Sequence, residues 1–100
     1  MGTRATIRFK DGENEYFIYR GKDGYPENVD KDIKEVLQKI KNRWSEPELE
    51  LLVTFFLGYF FVKEKRLPSY KINPCFHGDE SFRYYVEWNN EKKEWKYYFE

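Results

Sequence analysis

The chain is 100 residues long, with 18 basic and 18 acidic residues and a formal net charge of zero. That length suits one domain spanning residues 1–100 with a modest core, and the balanced charge argues against duplex DNA or an anionic membrane surface as partners. Aromatic residues make up 21% of the chain, so the core is expected to be built largely of rings.

From the N-terminus, "TRATIRFK" alternates Ala5, Ile7 and Phe9 against Arg4, Thr6, Arg8 and Lys10, the period of a half-buried strand. "DGEN" supplies a turn, and "EYFIYR" follows with Phe17 and Tyr19 on one side and Tyr16, Ile18 and Arg20 on the other. The pair reads as a hairpin. After "GKDGYP", the residues Val29, Ile33, Val36, Leu37, Ile40 and Trp44 recur three or four apart, which predicts an amphipathic helix that Asn28 or Asp30 could cap.

"SEPE" (Ser45 to Glu48) has the form of a capping box and opens a second helix that Pro68 stops. Between Leu49 and Val62 only Glu50 and Thr54 are polar, so this helix must be enclosed or shared with a partner. Its apolar run from Leu51 spans roughly 18 Å as a helix, short of the ~30 Å of bilayer hydrocarbon. Beyond Pro68, "SYKIN", "FRYYVEW" and "EWKYYFE" return to alternation. Phe82, Tyr84, Val86 and Trp88 share one face of the second of these, and Trp95, Tyr97 and Phe99 one face of the third.

Strands are therefore predicted over residues 3–10, 15–21, 69–74, 81–89 and 94–99. The order ββααβββ predicts an α+β two-layer sandwich, an antiparallel five-stranded sheet with two helices on one face. The single Cys75 can form no internal disulfide, and the N-terminal residues carry no secretory apolar run, so a cytoplasmic setting is expected. Abundant Lys, Glu and aromatics with a single Gln hint at a thermophilic source.

Three stretches are candidate sites. In "YRGKDGYPENV" the residues Arg20, Lys22, Asp23 and Tyr25 could ring a recognition surface. Turn chemistry alone also accounts for every residue type there, with Asp23-Gly24 turning and Tyr25 tucked beneath the helix start. "PCFHGDES" holds the only His, beside Asp79, Cys75 and Ser81. His77 and Asp79 supply two metal ligands where three or four are needed, unless Asp23 and Glu27 join them. A hydrolytic triad is not completed elsewhere, and the plain reading is a Gly78-Asp79 hairpin turn capped by His77. The outward sheet face mixes Arg4, Arg8, Lys10, Lys96, Tyr85 and Tyr98 with Glu15, Glu87, Glu94 and Glu100, a pattern open to single-stranded nucleic acid or simply to solvent.

The Tyr-Arg-x-x-Asp-Gly-Tyr-Pro loop from Tyr19 to Pro26 and the later His77-Gly78-Asp79 turn leading into a Tyr-rich strand together resemble a family of small prokaryotic and phage-associated proteins. That family commonly has His after the Arg; Gly21 stands there in this chain, which weighs against a site needing two histidines. The resemblance implies no particular activity, but it implies that the two loops form one feature. The expectation is a non-catalytic protein-binding or accessory module without metal or cofactor. It would be a homodimer, with Leu57, Phe60 and Phe61 at the interface or an unknown protein as partner. Binding residues would be Arg20, Asp23, Tyr25, His77 and Asp79. Single-stranded nucleic-acid binding is the alternative, and an enzyme or metal protein built on the His77 loop is the third reading.

Overall fold

Alternating apolar residues form strands because period two sends every second side chain to the same sheet face. A computed structural model describes residues 3–41, 48–64 and 70–99. The elements follow in the order β1 (Ala5–Lys10), β2 (Glu15–Arg20), α1 (Pro26–Ile40), α2 (Leu49–Glu64), β3 (Tyr70–Asn73), β4 (Phe82–Asn89) and β5 (Glu94–Phe99). Each strand begins and ends within two residues of its expected limits. Trp44, Ser45, Pro47, Pro68 and Ser69, which carried expectations for the ends of the helices and of β3, lie outside the described residues.

The sheet order is β3-β2-β1-β4-β5. Neighbours are antiparallel except β1 and β4, which run parallel with Ile7 opposite Tyr84. The sheet is therefore mixed, and the all-antiparallel expectation is corrected. The physical reason is a crossover: β3 lies beyond β2 and points the same way as β4, so residues 74–81 must carry the chain back across β2 and β1 before β4 can begin. Gly78-Asp79 belongs to this crossing and is not a hairpin turn.

Both helices cover one face. Ala5, Ile7 and Phe9 of β1, Ile18 of β2 and Tyr84 and Val86 of β4 are buried there. From α1 come Val29, Ile33, Val36 and Ile40, the expected stripe, and from α2 come Leu49, Leu52, Val53, Phe56 and Phe60. Phe56 sits among three rings, with centroids 5.5 Å from Phe9, 4.9 Å from Tyr70 and 5.0 Å from Phe60. Phe60 is only 2% exposed, so it packs inside its own chain and cannot serve an interface. Leu57 is partly buried against the same core, whereas Phe61 is 56% exposed. No described helix is long and apolar enough to cross a membrane.

The start of α1 also differs from expectation. Tyr25 is extended (φ −67°, ψ 150°), as a residue before proline should be, and Pro26 is the first helical residue. The Tyr25 carbonyl accepts from the amides of Asn28 and Val29. No side chain caps the helix; Asn28 donates instead to the Asp23 carbonyl. The Tyr25 ring is 45% exposed rather than tucked beneath the helix.

Candidate functional site

The face of the sheet away from the helices carries Thr6, Arg8, Phe17, Tyr19 and Tyr85, and the crossover lies on it. Phe76 packs edge-on against Phe17, its centroid 4.9 Å away, and the Arg83 guanidinium sits 4.2 Å from the Phe76 ring centre. His77 stacks on Tyr19 at 4.1 Å. A positive φ of 100° at Gly78 turns the chain there, a conformation that glycine adopts at no steric cost.

Glu80 holds this loop, and nothing in its sequence setting singles it out. Its side chain has no solvent exposure. It accepts from the Thr6 hydroxyl at 2.7 Å, from the His77 amide at 2.8 Å, from the Gly78 amide at 3.1 Å and from Arg83 Nε at 3.2 Å. Desolvation pushes the Glu80 carboxyl upward, but these hydrogen bonds and the Arg83 charge outweigh it and hold the group below its ordinary value of 4.5. Asp79 gathers a second set of partners: His77 Nδ1 at 2.8 Å, Arg4 Nη1 at 3.0 Å and the Tyr19 hydroxyl at 3.2 Å. Desolvation acts to raise it too, and again its hydrogen bonds, from His77 and Tyr19, prevail and lower it.

Of the expected binding residues, His77 and Asp79 therefore meet, with Tyr19 and Arg4 as partners. Arg20 is elsewhere. It shares the Ile18 side of β2 and turns toward the helices, donating to Asp32 at 3.2 Å, to the Tyr70 hydroxyl at 3.1 Å and to the Lys22 carbonyl at 2.8 Å. Tyr70 also donates to Asp32 at 2.7 Å. Burial raises the Asp32 carboxyl more than Tyr70 and Arg20 lower it, and burial likewise drives the Tyr70 hydroxyl well above its ordinary range. Arg20 is thus a strut that ties β2 to α1 and β3.

Asp23 takes the positive φ of its turn (57°), which Asp tolerates better than most residues. Gly24 therefore serves another purpose. Its amide donates to the Thr3 carbonyl at 2.8 Å, and its carbonyl accepts from the Tyr84 hydroxyl at 3.0 Å, a group that desolvation pushes up to about 12. The two loops consequently attach to consecutive residues at the start of β1: Thr3 holds Gly24, and the Arg4 side chain holds Asp79. They share one end of the sheet, but among the described residues no hydrogen bond or ion pair joins Asp23 or Tyr25 to His77 or Asp79.

The chemistry of the cluster is that of a clasp. Desolvation and the Asp79 hydrogen bond raise the Tyr19 hydroxyl, which keeps it a proton donor rather than a nucleophile. Among the described residues no group of three or more His, Cys, Asp or Glu side chains could hold a metal ion. Both clasp carboxylates titrate lower in the folded state than unfolded, so the stability they contribute is present above about pH 4.5 and is lost as pH falls through their folded values. The thermal midpoint is expected to drop between about pH 5 and about pH 3, and Glu80→Gln to flatten that limb. An unchanged limb in the variant would show that Glu80 does not govern it.

The fold and this cluster define an α+β domain with helices on one sheet face and a pinned crossover loop on the other. Compared with known proteins, the chain finds no matching family model, curated protein or solved structure.

Proposed function

We propose that the chain is a non-catalytic protein-binding module that works as a homodimer, with the outer face of α2 as its contact surface. The observation that carries this reading is a stripe at helical spacing on the exposed side of α2, Leu51, Gly58 and Val62, flanked by Phe55, which is half-buried against the core. Leu51 is 40% exposed and Val62 71%, and a shallow, largely apolar groove of about 630 Å³ runs beside Gly58 between Phe55, Tyr59 and Val62. Gly58 costs a helix interior about 1 kcal/mol relative to Ala, yet a Cβ added there would meet nothing within 4 Å. Packing among the described residues gives no reason for that glycine; close approach of a second helix does. A two-fold pairing brings the same stripe against itself and needs no second surface.

The outer sheet face supports this reading over single-stranded nucleic acid. Its central cations already face carboxylates: Arg8 meets Glu87 at 2.6 Å, Arg4 meets Asp79 at 3.0 Å and Arg83 meets Glu80 at 3.2 Å. Tyr98 stacks on Tyr85 at 4.9 Å and donates to Glu87. A nucleic-acid strand would have to displace these contacts before gaining its own.

Sedimentation equilibrium at micromolar concentration is expected to give twice the chain mass of 12.4 kDa. Val62→Glu and Gly58→Leu should each give the monomer with its fold intact, because both positions are open in the single chain. A wild-type mass of one chain would retire the dimer.

A further inference from the structure

At the far end of the sheet from the two loops, the C-terminal half of α1 and the β4–β5 hairpin enclose a cavity of about 600 Å³, within the range of small-molecule sites. Its apolar wall is Leu37, Ile40, Trp88, Trp95 and Tyr97. Trp88 and Trp95 face each other across the hairpin as an edge-to-face pair with centroids 5.3 Å apart. The Trp88 indole N–H is shielded from solvent and meets no acceptor among the described residues.

The rim has a clear sign. Lys34, Lys41, Lys92 and Lys93 line it against one acid, Glu94. Lys34 is paired with Asp30 at 3.1 Å and Lys93 donates to Asn90 at 3.1 Å. Lys41 and Lys92 are exposed and have no ion-pair partner among the described residues. In a chain of zero net charge, two cations with no carboxylate partner among the described residues, beside a pocket of indole and phenol rings, form a local bias that the rest of the surface cancels.

We propose that this cavity binds a small planar aromatic anion, with its ring against the Trp88–Trp95 wall and its phosphate or carboxylate at Lys41 and Lys92. Rings supply stacking area to any flat ligand, and the lysines select those that carry negative charge. The site is separate from the α2 face and does not depend on self-association.

The test uses the full chain, labelled with ¹⁵N, and reads the indole N–H signals, assigned by Trp→Phe variants. Adenosine monophosphate and 2-naphthoate are the two probes. At millimolar concentration one or both are expected to shift the Trp88 and Trp95 signals, with affinity falling as salt rises. Response to the nucleotide alone assigns a phosphate ligand, and response to the naphthoate alone a carboxylate. Adenosine, the ring without charge, and inorganic phosphate, the charge without ring, should each bind at least about tenfold more weakly than the nucleotide or fail to shift those signals. Lys41→Gln with Lys92→Gln should weaken the responding anion about tenfold while leaving adenosine unchanged. Both lysines are exposed, so the fold is retained. The proposal is overturned if neither anion moves the two indoles, or if the double variant binds both as the wild type does.

Discussion

Glu80→Ala is expected to destabilise the domain by about 3 kcal/mol, the scale of removing one partner from a buried charged network. The carboxylate has no solvent exposure and its Thr6 donor is enclosed with it, whereas the His77 and Gly78 amides and Arg83 lie where solvent reaches. Thr6, at 0% exposure, would be left with a buried hydroxyl and no acceptor, and the amides of His77 and Gly78 would lose theirs. Each such orphan costs about 1–3 kcal/mol when it stays buried. The exposed part of the loop recovers some of this by loosening, which sets the total below the sum. Chemical denaturation measures the loss, and amide exchange at His77 and Gly78 should quicken by more than global unfolding explains. Glu80→Gln keeps an acceptor for Thr6 but loses the charge that Arg83 meets, so about half the loss is expected. A Glu80→Ala variant within about 0.5 kcal/mol of wild type would place it among ordinary surface substitutions and show that the loop is held by Phe76 and His77 packing alone.

The strands and their faces were legible because alternation records which side chains enter the core. Ile7, Phe9, Tyr84 and Val86 lie where period two puts them. Alternation does not record which strand pairs with which, and so the parallel β1–β4 neighbours and the crossover of residues 74–81 were not legible. The α1 stripe was readable for the same reason as the strands. In α2 an apolar surface all round gives no phase, so Phe60, which faces the core, was indistinguishable from Phe61, which faces out. Arg20 carries a signal in its parity with Ile18, which places it on the helix side and away from a surface built around Asp79. Glu80 carried none, since one acid in a charged loop looks like any other until Thr6 and Arg83 are seen beside it. The pairing of the two loops came from a resemblance, and the hydrogen bonds of Thr3 and the ion pair of Arg4 now give their common position a physical basis.

Gly24→Ala is expected to cost about 2–3 kcal/mol, toward the upper range for overpacking a filled interior, and to lower the thermal midpoint by roughly 10–20 °C in a domain of this size. A Cβ built at Gly24 would lie 2.7 Å from the Ala5 Cβ and 3.0 Å from both the Ala5 nitrogen and the Thr3 oxygen. None of these atoms ends a flexible side chain, and Ala5 is itself 1% exposed in the first core strand. Retreat is blocked from the other side, because the Gly24 amide is bonded to Thr3 and its carbonyl to the buried Tyr84 hydroxyl. Relief therefore requires moving either the start of β1 or the whole turn from Arg20 to Pro26. Gly58→Ala, made in the monomeric Val62→Glu background, is the matched control: the same change in open helix surface should raise stability by about 0.5–1 kcal/mol. The decisive measurement is a double-mutant cycle with Ala5→Gly. Removing the Ala5 methyl opens the space that the new methyl would occupy, so the double variant should be more stable than the sum of the two single losses by about 1 kcal/mol or more. Simple additivity would mean that the Ala5 Cβ is not the obstacle, and that the Thr3 carbonyl or the backbone of β1 sets the limit instead.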